Sequence, residues 1–230
     1  VSTILNIALG PADALQAARQ SNIVVVIDAL RMSSTIVTAL AGGMRSVVPV
    51  SSVDECVGEV TAGERGGKKI EGLMYDNSPL SFSSGQHSGK QLVLTSTNGT
   101  ECLRAAGSIS DSIVLVGSLL NAQAVASCAY RYAQEKKQNI TLLVAGRNNR
   151  VAVEDVITAN EIASYLPMCS VLGDVELLYS SDFARDFLGS ESGMNLVALG
   201  KRQDVLFCAQ KDIFNVVPIW ENGKLVLSKE

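Results

Sequence analysis

Asp28 and Arg31 stand directly behind an unbroken β-branched run, Ile23-Val24-Val25-Val26-Ile27. A carboxylate at the end of a buried strand can ligate a hard cation or attack phosphorus, and it can also simply cap the next helix. An arginine three residues on can grip phosphate, carboxylate or sulfonate oxygens through paired donors. The same layout recurs three times: the apolar runs 91–94, 113–116 and 141–144 each stop at a burst of small polar or charged residues. After the first comes Thr95-Ser96-Thr97-Asn98-Gly99-Thr100, where hydroxyls, an amide and a glycine at a helix start can hold an anion without a formal charge. After the second come Gly117-Ser118 and Asn121, and after the third Ala145-Gly146-Arg147, followed by Glu154-Asp155. Those two acids suit a helix start and could also offer oxygen ligands to a cation.

Several chemistries lack the residues they need. His87 is the single histidine, in a polar loop where it reads as solvent-exposed, so histidine phosphatases and serine-histidine triads are excluded. Cys56, Cys102, Cys128, Cys169 and Cys208 show no Cys-x-x-Cys spacing, and none has an arginine at the sixth following position. They read as buried reduced thiols, without a zinc site, a disulfide frame or a cysteine phosphatase loop. Leu30 occupies the place of the second acid of an aspartyl-phosphate motif, so Asp28 and a metal-activated water both stay open as nucleophile. The stretch 62–69 fails as a phosphate-cradling P-loop because Ala62 and Lys69 replace its glycine and hydroxyl, which leaves no nucleotide implied.

The elements that must position these residues follow from the hydropathy pattern. Residues 11–20 and 33–41 read as helices and 23–27 and 46–50 as strands, with Gly42-Gly43 ending the second helix. A helix is predicted over 53–62, then a long glycine-, serine- and asparagine-rich loop over 63–89, a length that points to function. Strands at 92–94, 113–116 and 140–144 alternate with helices at 99–106, 121–135 and 152–166. Segments 196–199, 205–208 and 225–227 fit either strand or helix. Alternation of this kind implies an α/β fold, layered α/β/α with a mostly parallel sheet, in an arrangement that admits two packed lobes. Short right-handed connections should gather the polar loops on one edge.

A 230-residue chain that is 47% hydrophobic and 18% charged buries a core without disulfide or metal staples. The net charge of −4 argues against nucleic acid as principal partner but tolerates a small anion held by local arginines. The longest apolar stretches fall short of the roughly 18 residues of a membrane span, and the first residues lack a signal-peptide pattern, so no membrane partner and a cytoplasmic location are expected.

Taken in order, these bursts together with Gly63-Glu64-Arg65-Gly66 and Asn77-Ser78-Pro79 resemble the ComB family of 2-phosphosulfolactate phosphatases. The resemblance runs from about Leu9 to Pro218, with Gly200, Asp204 and Pro218 in the closing segment. Departures are Met32-Ser33 for the usual Ala-Thr, Ser96 for threonine, Val144 for cysteine and Asn160 for glycine, which bear on substrate preference more than on fold. The resemblance implies one phosphatase domain over 1–230 that uses Mg2+ to remove phosphate from a small anionic 2-phospho-hydroxy acid, in the context of coenzyme M biosynthesis. It implies catalytic roles for Asp28, Arg31 and Glu64, and metal ligation by Asp28, Glu154 and Asp155. Substrate binding falls to Arg65, Asn77, Ser78, Thr97, Asn98, Gly99, Thr100, Ser118, Asn121 and Arg147. A homodimer is the expected assembly, and a non-catalytic phospho-acid binder on the same fold is the rival reading.

Overall fold

A computed structural model describes residues 4–147, 150–167, 170–172 and 177–229. In its first half, β1 (Ile4–Leu9) leads into α1 (Gly10–Ser21), β2 (Ile23–Ile27), α2 (Met32–Ala41) and β3 (Ser46–Val50). Next come β4 (Val60–Arg65), β5 (Lys68–Lys69), β6 (Gln91–Thr95), α3 (Gly99–Gly107) and β7 (Ile113–Gly117). The second half runs α4 (Ala122–Lys136), β8 (Ile140–Val144), α5 (Val153–Ser164), β9 (Ser170–Leu172), α6 (Phe183–Gly189), α7 (Glu191–Ala198) and α8 (Arg202–Cys208). A hairpin of β10 (Pro218–Glu221) and β11 (Lys224–Leu227) closes the chain.

All eleven strands join one sheet in the order β5-β4-β6-β3-β11-β10-β7-β2-β8-β1-β9. Its neighbours are mostly parallel, as expected. The hairpin interrupts the parallel order, pairing antiparallel with β7 on one side and β3 on the other. The β3, β6 and β4 group therefore runs against the sense of β7, β2, β8 and β1. Twist of roughly 20–25° per strand accumulates to more than 100° over the five steps from β2 to β6, which turns the two sets of strand ends toward each other.

β2 shows how the layers form. Val24 and Val26 face a core shared with α1, α2 and α3, while Ile23, Val25 and Ile27 face one shared with α4 and α5. Period-two alternation with both faces apolar requires helices above and below, hence α/β/α layering. Each fully buried valine or isoleucine contributes about 1.5–3 kcal/mol relative to exposure. A third cluster, with Ala29, Leu119, Ile157, Phe187, Leu196 and Val205, seats α6, α7 and α8 beside the ends of β2 and its neighbours.

The helix expected at 53–62 is not formed: Val60, Thr61 and Ala62 pair with Leu92, Val93 and Leu94 of β6. Non-local pairing here overrides a weak helical pattern. The expected loop 63–89 accordingly opens with the end of β4 and the short β5. The ambiguous segments resolve as helix α7, helix α8 and strand β11. No helix among the described residues is long and apolar enough to cross a membrane.

Candidate active site

The exits of β2, β4, β6 and β8 meet α7 around a cleft of about 120 Å³. Asp28 lies where β2 ends, and its Oδ1 accepts the Met32 amide at 3.2 Å, so the capping role and the site role coincide. Gly99 packs so close that a β-carbon there would collide with the Asp28 carboxylate and the Met32 methyl. Glycine at that position lets the β6 loop approach the acid. The loop is also tied across the cleft by Asn98 Nδ2, which donates to the Gly146 carbonyl at 3.0 Å.

Glu154 and Asp155, in the first turn of α5, are buried and line the same cleft. Asp155 accepts the Ala29 amide at 2.8 Å and the Gly146 amide at 3.0 Å, locking two strand exits together. The Glu154 carboxylate takes no hydrogen bond from the described residues. Burial first, then Glu64 and Glu154, pushes the Asp28 carboxyl up to about 7, against the pull of the Met32 amide and Arg31. Burial, followed by the charges of Glu154 and Asp28, raises Asp155 although two amides oppose the shift.

Arg31 reaches the cleft from the other side and is held from below. Its Nη1 donates to Asp76 at 3.2 Å and to Asp204 at hydrogen-bond distance, and its Nη2 donates to the Gly67 carbonyl at 3.3 Å. Lys201 Nζ lies 2.8 Å from Asp76, and Ser78 Oγ donates to Asp204 at 2.7 Å. Burial disfavours charge on Asp76, yet Lys201 and Arg31 hold its carboxyl below the usual range. Arg147 lines the mouth and pairs with Glu191 of α7 at 3.3 Å.

Other expected site residues have different surroundings. Glu64 lines the cleft but organises its wall: one oxygen accepts Thr97 N and Oγ1 at 2.9 Å each, the other Gly67 N at 2.7 Å. Asn77 and Thr97 line the cleft. Arg65 points out of it, donating to Thr95 Oγ1 at 3.0 Å and Ser51 O at 3.3 Å. Thr100 closes a small box with Ser96, whose Oγ takes the Thr100 amide at 3.1 Å. Ser118 and Asn121 are not brought into the cleft. They cap the turn before α4, and Asn121 Nδ2 donates to Val216 O at 3.0 Å, anchoring the closing segment.

His87, expected in solvent, is only 9% exposed, with its Nε2 3.0 Å from Tyr75 Oη and its ring against Tyr75 and Phe82. Four cysteines are free and buried, and Cys169 lies outside the described residues. Burial pushes the Cys208 thiol up to about 12 and Cys102 higher still, leaving neither as a nucleophile. Asp76, Lys201, Ser192 and Asn195 escaped the sequence reading. Ser192, Asn195 and Leu196 carry an i, i+3, i+4 spacing that marks one helix face, but nothing local says what it faces.

Among the described residues, no three histidine, cysteine, aspartate or glutamate side chains form a ready-made metal cage. Asp155, expected as a third ligand, has both oxygens engaged by main-chain amides. Asp28 and Glu154 remain, two enclosed carboxylates on the walls of one cleft. That fits a hard cation which takes one or two protein carboxylates and completes its shell from phosphate and water.

Acids converging from distant strand ends, faced by arginines in a small polar cleft, define an α/β enzyme for a compact polyanion. Residues 11–223 match the family model described as 2-phosphosulpholactate phosphatase, and the chain belongs to that family. It is 35% identical over 217 residues to a protein of Thermotoga maritima named probable 2-phosphosulfolactate phosphatase, covering 89% of this chain and 92% of the relative. A protein of Caldanaerobacter subterraneus with the same name is 33% identical over 228 residues, covering 90% and 91%. A third, from Symbiobacterium thermophilum, is 33% identical over 224 residues, covering 89% and 94%.

Proposed function

We propose that this chain is a phosphoric monoester hydrolase that converts 2-phospho-3-sulfolactate, or a related 2-phospho-hydroxy acid, into sulfolactate and phosphate with magnesium as cofactor. The observation that carries this reading is the meeting of Asp28 and Glu154 with Arg31 and Arg147 in one cleft of a chain from this family. Asp28 and Glu154 would hold the cation. When bound, magnesium supplies positive charge to the phosphoryl oxygens and fixes their orientation. Arg147 and the main-chain amides of Asn98 and Gly99 hold the phosphoryl group through guanidinium and amide donors. Asp28 faces phosphorus, where it either attacks or draws the proton from attacking water. If Asp28 attacks, its bond to phosphorus forms as the ester P–O bond breaks, the 2-oxygen takes a proton from water, and a second water cleaves the acyl phosphate to release phosphate; if water attacks, the proton drawn by Asp28 passes to the departing 2-oxygen as the ester P–O bond breaks.

Arg31 has a different duty: with its Nη1 donating to two carboxylates, it presents the remaining edge of its guanidinium at a fixed angle. A cytoplasmic setting, with coenzyme M biosynthesis as its context, is consistent with the free thiols of the four described cysteines. We also propose a homodimer as the assembly.

The test is phosphate release from 2-phospho-3-sulfolactate by the purified protein. EDTA is expected to stop release and excess magnesium to restore it, while gentle alkylation of thiols changes little. Full activity in chelator with loss on alkylation would sink the reading. Thermal stabilisation by the substrate without any turnover would favour the non-catalytic binder.

A further inference from the structure

We propose that Asn77, through its side-chain oxygen, supplies a third protein ligand to the cation beside Asp28 and Glu154. The inference rests on the metal-dependent phosphatase reading and adds to its cation site a neutral ligand from a distant segment of the chain.

Asn77 is 1% exposed and lines the cleft, and its Oδ1 is buried without a hydrogen-bond partner. Among the described residues the one other buried side-chain nitrogen or oxygen in that condition is Nδ1 of His87, which does not line the cleft. Buried polar atoms are ordinarily paired, because an unpaired one forfeits its hydration and gains nothing in return. An orphan acceptor in the wall of a cleft is therefore completed by what the cleft takes up.

The orphan is an oxygen, and that decides what completes it. The oxygens of an ionised phosphate, carboxylate or sulfonate only accept hydrogen bonds, so they would meet Asn77 Oδ1 lone pair to lone pair. Arg31 is engaged elsewhere, donating Nη1 to Asp76 and Asp204 and Nη2 to the Gly67 carbonyl. A hard cation, by contrast, takes amide and carboxylate oxygens alike. Charge favours the same choice. Asp155 is withdrawn by two main-chain amides, and Asp28 and Glu154 already bring two carboxylates to the ion. A third acid would add repulsion in a buried site, whereas an amide oxygen adds a ligand and no charge. The only donors that the reaction itself brings in are water and the freed 2-hydroxyl, and the experiment separates both from the cation.

Asn77 is also held in place. Its main-chain carbonyl accepts Thr35 Oγ1 of α2 at 3.2 Å, and the first amide of the same helix, that of Met32, donates to Asp28 Oδ1. On one side of Asn77, Asp76 is gripped by Arg31 at 3.2 Å and Lys201 at 2.8 Å; on the other, Ser78 Oγ donates to Asp204 at 2.7 Å. The cluster around Arg31 thus fixes the segment that carries the ligand, and the oxygen needs little ordering when the cation arrives.

The experiment titrates magnesium, by calorimetry, and manganese, by the spin resonance of the free ion, into metal-free wild type, Asn77→Ala and Asn77→Asp. Thermal melts in EDTA and in excess magnesium run beside the titrations. Asn77→Ala is expected to weaken cation binding at least about tenfold, and Asn77→Asp, which keeps an oxygen in place, to bind at least as tightly as wild type. In EDTA Asn77→Ala should melt no lower than wild type, because an unpaired acceptor is gone, while the rise in melting temperature on adding magnesium should shrink. Cation affinity unchanged in Asn77→Ala, or a melt lowered equally with and without magnesium, beside normal hydrolysis by wild type, would overturn the ligand and leave the phosphatase reading standing. Unchanged affinity with a fall in kcat would hand Asn77 to water or the freed hydroxyl and overturn the ligand too. Weakened cation binding in Asn77→Ala, with a wild type that turns over no 2-phospho acid, would leave the ligand standing and end the phosphatase reading. If wild type binds neither ion, the ligand falls, and phosphate release in EDTA would then keep the hydrolysis while removing magnesium from it.

Discussion

Two groups of buried charge meet at one cleft and are built on opposite terms. Around Arg31, cations and carboxylates are matched and hydrogen-bonded, with side-chain exposures of 1% for Arg31, 8% for Asp76 and 5% for Asp204. Around Asp28, acids outnumber cations, and the charges of Glu64 and Glu154 add to burial in raising the Asp28 carboxyl to about 7 against the pull of Arg31. The balanced cluster is a joint: it ties α2 to the segment behind β5 and to α8. The unbalanced one works against stability, a cost that the proposed cation would offset. Buried charge alone therefore does not mark a candidate active site; an excess of one sign is the more telling feature.

Variants can break this contrast. The largest expected effect is Asp28→Asn, which keeps shape but removes the charge: turnover should fall at least about a thousandfold, roughly 4 kcal/mol of barrier. The melting temperature without metal should hold or rise, because a repulsive acid is gone. Near-normal activity in phosphate-release assays would reduce Asp28 to a helix cap.

Next in size is Asp204→Ala. It leaves Arg31 and Lys201 sharing one carboxylate and strips Ser78 of its acceptor. A loss of about 3–5 kcal/mol is expected, seen as roughly 10 °C in thermal melting. An unchanged melt would mean that the joint carries no load. That loss should appear with or without magnesium, unlike any effect at Asp28.

The smallest expected effect is on pH dependence. Asp28 rises from 3.8 to about 7 on folding, so between those values the folded state holds a proton that the unfolded chain has released. Its contribution to stability is therefore full below about pH 4 and is lost as pH climbs through about 7, and Asp155 shifts in the same sense. In EDTA the melting temperature should drop by a few degrees between about pH 5 and 8, and magnesium should flatten the slope. A metal-independent slope would detach these acids from cation binding.

Much of this was legible along the chain. The β-branched runs marked β2, β7 and β8, because a strand buried on both faces must be apolar at every position. Asp28, Asn98 and Arg147 announced themselves by standing just after such runs, and Glu154 by opening the helix that follows one. Local pattern could not place Val60 to Ala62, whose strand exists through its pairing with β6. Nor could it foresee the burial of His87 against Tyr75 and Phe82, or the diversion of Ser118 and Asn121 into a cap.

The chemistry of the strand exits was settled by residue type and spacing, since periodicity and turn composition act over a few neighbours. The partners of those residues were settled by the tertiary structure alone. Arg31 finds Asp204 across 173 positions, and Ala29 finds Asp155 across 126. Glu64 of β4 and Glu154 of α5 line one cleft although 90 positions separate them. Contacts of that span depend on the sheet order and the way the helices cover it, which no local run of side chains encodes.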